Sequence, residues 1–120
     1  MKQSEQNSIK SEDTILPLGS VVKTGRDPGT LLVIIARAPL TVMHGTTGYF
    51  DYGAVQFPYG MTDPAKTIFF NRPDVTEMVF MGYINAEERS YERRFDEVTK
   101  STSYPTFISD SVTGHIGHTR

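Results

Sequence analysis

The chain has no cysteine, no tryptophan and only three histidines in 120 residues. Without thiols it can form no disulfide, offers no cysteine nucleophile and cannot bind zinc through sulfur. Its 12 Lys and Arg are outnumbered by 14 Asp and Glu, for a net charge of −2. Gripping a nucleic-acid backbone needs a basic face, so no nucleic-acid partner is expected. The longest apolar run covers residues 31–36, against the roughly 20 residues of a spanning helix. The polar N-terminal stretch contains no apolar h-region, so neither a secretory signal nor a membrane partner is expected. A soluble cytoplasmic protein is the expectation.

Recognisable catalytic patterns are missing as well. There is no Gly-x-Ser-x-Gly elbow, no Gly-x-Gly-x-x-Gly and no Gly-Lys-Ser/Thr phosphate loop. His44 falls in a loop, and His115 and His118 form a His-x-x-His pair with no carboxylate cluster beside it. That is a poor metal site, and no cofactor, metal or catalytic residue is assigned. Asp51, Asp63, Asp74 and Glu77 gather in the middle third. A small enzyme using such acids is the minor alternative. Asp63 and Asp74 adjoin prolines and read as turn residues. Asp51 lies inside an aromatic strand, where a carboxylate must be exposed, paired or functional, and pairing or exposure is the favoured reading.

Aromatics are what the chain has in quantity. It carries seven phenylalanines and six tyrosines, nine of them between positions 49 and 83. Turn-forming residues 25–29 separate two β-type runs, 20–24 and 31–35, which predicts a hairpin. The second run is apolar at successive positions and is expected to be covered on both faces. A polar loop over 41–48 leads to a third strand at 49–57, with Phe50, Tyr52 and Ala54 toward the core. Residues 67–70 form a fourth strand and 75–83 a fifth. In the fifth, alternation sets Met78 and Phe80 on one face and Val75, Val79 and Tyr83 on the other.

The clearest element is a helix over 85–98. Asn85 is its N-cap, Glu88 stands at the capping-box position, and Tyr91, Phe95 and Val98 form one apolar stripe. The predicted class is α+β: a curved, mainly antiparallel five-stranded sheet, or a small partly open barrel, with one C-terminal helix. Residues 1–13 are expected to be a disordered leader, 14–99 a single β-rich domain, and 100–120 a flexible tail or a segment that orders against a partner. Core packing claims most of the aromatics. Tyr59, Phe69, Phe70 and Tyr52 are the candidate protein-binding residues, with the outward member of the Phe69/Phe70 pair favoured.

Several short stretches occur together in a fixed order: Leu16-Pro17-Leu18-Gly19-Ser20-Val21-Val22, the run over 31–37, Phe50-Asp51-Tyr52, Pro58-Tyr59-Gly60, Asp63-Pro64-Ala65-Lys66-Thr67, Phe69-Phe70-Asn71 and Val79-Phe80-Met81-Gly82-Tyr83. On these residues the chain, over about 15–95, resembles the bacterial family known as domain of unknown function 4176. Members of that family resemble products of Gram-positive type VII secretion loci, beside genes for LXG-type toxins. The resemblance implies a non-enzymatic cytosolic adaptor or chaperone for a secreted toxin, with an immunity protein as the alternative. It brings no catalytic residues to carry over. The long C-terminal tail is unusual for the family.

Overall fold

A computed structural model describes residues 14–108. Among these residues, seven strands and one α-helix are formed: β1 Val21–Thr24, β2 Leu32–Arg37, β3 Leu40–Met43, β4 Thr46–Tyr49, β5 Tyr52–Gln56, β6 Ile68–Phe70, β7 Val75–Phe80 and α1 Ala86–Lys100. Five strands make one sheet in the order β6-β5-β2-β1-β7, and every pairing in it is antiparallel. The curved five-stranded sheet with a C-terminal helix is therefore the observed class.

The connection between the edge strands dictates the curvature. In a flat sheet the outer strands β6 and β7 would lie about 19 Å apart, at about 4.8 Å per strand. Five residue steps lead from Phe70 to Val75, which even fully extended reach only about 18 Å. Part of that link is wound into a 3₁₀ turn, Arg72–Asp74. The sheet must therefore roll up. Accordingly, Thr24 at the end of β1 and Arg26 just beyond it share a cleft with Ile68, Phe69 and Phe70 of β6. The barrel stays open, since β6 and β7 do not pair.

Inside the roll lie Val22, Leu32, Ile34, Tyr52, Ala54, Phe70 and Val75, joined by Ile15 and Leu16 from the entering chain and Phe95 from α1. β7 departs from simple alternation. Its pairing with β1 shifts register between Val21 and Val22 and again between Lys23 and Thr24. Each shift places an extra residue in β7, which resets the phase of the strand. Val75 and Met78 consequently pack on the core, while Val79, Phe80 and Tyr83 are exposed. The expected grouping of Met78 with Phe80 is thus corrected.

The expected loop at 41–48 is a second hairpin, β3–β4, with Leu40 opposite Tyr49 and Met43 opposite Thr46. His44 and Gly45 occupy its two-residue turn with φ of 53° and 82°. Positive φ at both central positions is the type I′ signature that matches strand twist. Asn-Gly would have advertised it; His-Gly is a weaker signal.

Helix α1 is capped as expected, with the Glu88 N–H donating to Asn85 Oδ1 at 2.8 Å. The Glu88 carboxylate, however, turns to the sheet and accepts from both terminal nitrogens of Arg37, at 2.5 and 3.0 Å. The same guanidinium lies 4.2 Å from the Tyr91 ring centroid. Eight residues further along, Asp96 meets Arg72 beyond β6 at 2.9 Å. Eight residues of helix rise about 12 Å, close to the roughly 10 Å from β2 to β6. The helix therefore crosses the strands and caps one mouth of the roll. Phe95 is the stripe residue that enters the core; Tyr91 is half-buried and Val98 is exposed.

The helix also carries a proton-sensitive pair. One carboxylate oxygen of Glu92, Oε2, is buried without a hydrogen-bond partner. Burial, then the hydrogen bond to Glu88 and its charge, push the Glu92 carboxyl from 4.5 up to about 7. Burial also opposes ionisation of Glu88, but its hydrogen bonds with Arg37 and Glu92 outweigh this and hold its pKa below the ordinary value. Because folding raises the Glu92 pKa, its contribution to stability is complete below the unfolded value and is lost as pH rises through the folded one. The Glu88 shift has the opposite sign and acts at lower pH. Urea midpoints of the parent chain should therefore fall between about pH 5 and about pH 7.5. In Glu92→Gln that fall should flatten, through higher stability at the upper pH. An unchanged slope in the variant would remove Glu92 as its source.

Residues 101–108 correct the expectation of a tail that is flexible from 100. The Tyr49 N–H donates to the Pro105 carbonyl at 3.0 Å, and the Phe107 N–H to the Tyr49 carbonyl at 2.8 Å. Thr106 bridges Tyr49 in parallel. This segment fits because position 48 is glycine: a Cβ there would stand 2.7 Å from the Pro105 carbonyl oxygen and 2.8 Å from the Phe107 ring. The leader at 1–13 and the last part of the tail, 109–120, lie outside the described residues.

Candidate protein-binding surface

The chain's aromatics divide into two shells separated by the sheet. Tyr52 and Phe70 point into the roll, their ring centroids 5.3 Å apart. Both are buried, and the Tyr52 hydroxyl accepts a hydrogen bond from the Leu16 N–H at 2.8 Å. Burial raises the Tyr52 pKa, so the hydroxyl stays neutral. These two residues hold the core together and cannot meet a partner on the surface, which corrects their assignment as protein-binding candidates.

Phe69 is the outward member of its pair, lying opposite Gly53 on the far side of the sheet. It does not stand free. Phe50 stacks on it at 5.6 Å, and Phe107 packs against Phe50 at 5.5 Å. This second cluster, with Gly48 beneath Phe107, covers the outer side of β5 and β6. Of the four sequence candidates, only Tyr59 is openly exposed, at 72%.

The remainder of the outer sheet face presents an apolar row. Phe80 pairs with Val21, Val21 with Val33, and Val33 with Val55. Residues directly opposite one another across strands share a face, so one line of apolar side chains crosses β7, β1, β2 and β5. Phe80 is 61% exposed; Val21 and Val33 are half-buried, and Val55 is buried at the far end. A register shift between Ile34 and Ala36 leaves Ile35 as an extra residue, and it too is exposed. Past Val55 the row meets the loop carrying exposed Phe57, Tyr59 and Met61. Val55, Tyr59 and Met61 line a shallow cleft of about 230 Å³ there, with Asp63 and Lys66 at its polar side. The signal for this row was present in the valines and Phe80, but only the cross-strand register aligns them.

The four mid-chain carboxylates each have a local structural partner. Asp63 Oδ1 accepts from the Ala65 N–H at 3.0 Å, and Asp74 Oδ2 from the Asn71 N–H at 2.8 Å. Glu77 faces Lys23 at 3.7 Å on the sheet surface. Asp51 is buried and paired: its Oδ2 accepts from the Arg72 backbone N–H at 2.9 Å and from Nε at 3.0 Å. Burial works against the Arg72 charge, but hydrogen bonding and attraction from Asp96 and Asp51 prevail and raise its pKa. Asn71 completes the junction, accepting from the Asp51 N–H and donating to the Phe107 carbonyl, both at 2.8 Å. Among the described residues, no group of three or more His, Cys, Asp and Glu is arranged to hold a metal ion. His44 sits in the β3–β4 turn; His115 and His118 lie outside the described residues. No described helix is long and apolar enough to cross a membrane.

Over residues 15–91 the chain matches the model of a family described as Domain of unknown function (DUF4176). No curated protein and no solved structure matches the chain.

Proposed function

This chain belongs to the family of domain of unknown function 4176, and we propose that it is a non-enzymatic accessory protein whose outer sheet face binds a partner protein. The observation that carries the reading is the row Phe80–Val21–Val33–Val55, which continues into Phe57, Tyr59 and Met61. Apolar surface of this kind, exposed at Phe80, Ile35, Phe57, Tyr59 and Met61, marks interaction sites on small proteins. The sheet edges are less suited to the task. β6 has three residues and β7 is interrupted by two register shifts, both devices that discourage strand addition. Binding through the face is therefore favoured over pairing at an edge.

The partner is a toxin of the LXG type exported by type VII secretion, and the chain serves it as cytosolic adaptor or chaperone. This part of the proposal rests on the family resemblance, while the outer face supplies an apolar surface on which a toxin segment can be sheltered. Co-expression with the toxin of its own locus, followed by affinity capture, tests it. The two should co-purify, and Phe80→Asp or Ile35→Asp should weaken the complex by about thirtyfold, as loss of an interface anchor of about 2 kcal/mol does. Both side chains are exposed, so circular dichroism and thermal unfolding should stay close to the parent. Failure to capture any product of the locus would sink the proposal. Protection of cells that express the toxin domain, without any effect on toxin yield or export, would identify neutralisation as the role.

A further inference from the structure

We propose that the free edge of the β3–β4 hairpin is a self-association site, where β3 pairs antiparallel with β3 of a second copy of this chain. The residues differ from those of the outer-face row, so the inference stands without a toxin partner. β3 and β4 form a two-stranded sheet of their own, so among the described residues β3 has a strand on one side only. The register shows which backbone groups this leaves open. Met43 and Thr46 flank the two-residue turn and form a hydrogen-bonded pair, and such pairs alternate along an antiparallel ladder. Val42–Thr47 and Leu40–Tyr49 are therefore non-hydrogen-bonded pairs. Neighbouring bonds agree. The Tyr49 N–H donates to Pro105 and its carbonyl accepts from Phe107, both away from Leu40, while the Phe50 N–H donates to the Pro39 carbonyl at 3.4 Å. The N–H and C=O groups of Leu40 and Val42 thus point away from β4, along the free edge.

Edge strands are ordinarily blunted by charge, proline or bulges. Unlike β6 and β7 of the larger sheet, β3 carries no such device. Residues 38–50 contain no Asp, Glu, Lys or Arg, and the pairing of β3 with β4 has no register shift. Pro39 precedes the strand, and the donor it lacks would face Phe50. The Leu40 and Val42 side chains share one face and are 56% and 63% exposed. A second copy satisfies this edge in one register. Setting Leu40 opposite Val42 of the second copy, and Val42 opposite its Leu40, makes four backbone hydrogen bonds and joins four apolar side chains on one face. Thr41 then meets its own counterpart on the two-fold axis. Sliding the copies brings in either Ala38, whose N–H is bound to the Asp51 carbonyl at 2.9 Å, or His44 in the turn at φ 53°. The contact is isologous, so it closes at two copies and does not propagate into a fibre. Strands of four residues bury less than the roughly 1,200 Å² of a stable interface, so association is weak, with Kd of about 0.1–1 mM.

Sedimentation equilibrium of the full chain from about 10 µM to about 1 mM should show the mass rising from 13.4 kDa toward twice that value. Over the same range, hydrogen exchange at the Leu40 and Val42 amides should slow as concentration rises. Val42→Lys puts a charge on the edge and should weaken the dimer by at least about tenfold, at an unfolding temperature close to the parent. Phe80→Asp should leave the dimer unchanged. Because the chain has no cysteine, Thr41→Cys introduces a single thiol. Opposed non-hydrogen-bonded residues stand about 4.5 Å apart at Cα, within disulfide reach, so mild oxidation should cross-link Thr41→Cys faster than the exposed Thr46→Cys on β4. A monomer mass throughout, a dimer insensitive to Val42→Lys, a dimer abolished by Phe80→Asp, or equal cross-linking at the two positions overturns the proposal. Protection of the Leu40 and Val42 amides at the lowest concentration also overturns it, since the edge would then be covered within one chain. Sedimentation and exchange of the parent need no variant, so the result does not depend on how the substituted chains fold.

Discussion

Asp51→Ala should lower the unfolding free energy by about 3–5 kcal/mol, the range for removing one partner of a buried ion pair. Against the roughly 5–15 kcal/mol available to a domain, that is a third or more of the total. The reason is the number of elements meeting at this carboxylate. Asp51 immediately precedes β5, Arg72 belongs to the turn joining β6 to β7, and Asp96 on α1 takes the other side of the same guanidinium. Asn71 ties the Asp51 N–H to the Phe107 carbonyl of the C-terminal segment. Truncation leaves the Arg72 backbone N–H and Nε without their acceptor and loosens the turn that keeps the sheet rolled. Asp51→Asn should be milder, because its amide oxygen still accepts from the Arg72 N–H. Urea denaturation of both variants, with Arg72→Met and Asp51→Ala combined in a double-mutant cycle, measures the coupling. A loss below about 1 kcal/mol for Asp51→Ala would place it in the range of exposed ion pairs instead.

Phe95→Ala should cost a comparable amount, about 3–5 kcal/mol. Phe95 is 2% exposed and is the one buried residue of α1. Its ring lies 5.9 Å from that of Tyr91, with the Arg72 guanidinium 5.4 Å from its centroid. The helix has no strand to pair with, so its attachment depends on this ring and on the two ion pairs at Arg37 and Arg72. Loss of the ring leaves a cavity in the core cluster that Phe95 shares with Val22, Ile34 and Tyr52, which the rolled sheet cannot readily collapse to fill. Val98→Ala provides the contrast: at 54% exposed, Val98 should contribute less than about 0.5 kcal/mol. Equal, small effects for both variants in thermal unfolding would mean that α1 is not docked through Phe95.

Legibility in the sequence followed the range of the physical signal. The capped helix, the β1–β2 hairpin and the strand at 68–70 were readable because cap, turn and alternation signals act within a few residues. β7 was found, but its faces were misjudged, since the two bulges arise only through pairing with β1. The β3–β4 hairpin was hidden by a His-Gly turn, and the docking of 101–108 by a close approach that glycine at 48 permits without announcing. Tyr52, Phe69 and Phe70 look alike in sequence; neighbours 18–36 residues away decide that Tyr52 and Phe70 are core and that Phe69 lies under Phe50.

By itself, then, the sequence determined what the missing residues exclude, the α+β class, the helix with its cap and the family. Tertiary structure alone decided which aromatics remain on the surface, what Asp51 pairs with, and that a row of valines and Phe80 shares one outer face. The first group depends on composition and on contacts between near neighbours along the chain. The second depends on strand register and on the short link that forces the sheet to roll, and both join residues that lie far apart in sequence.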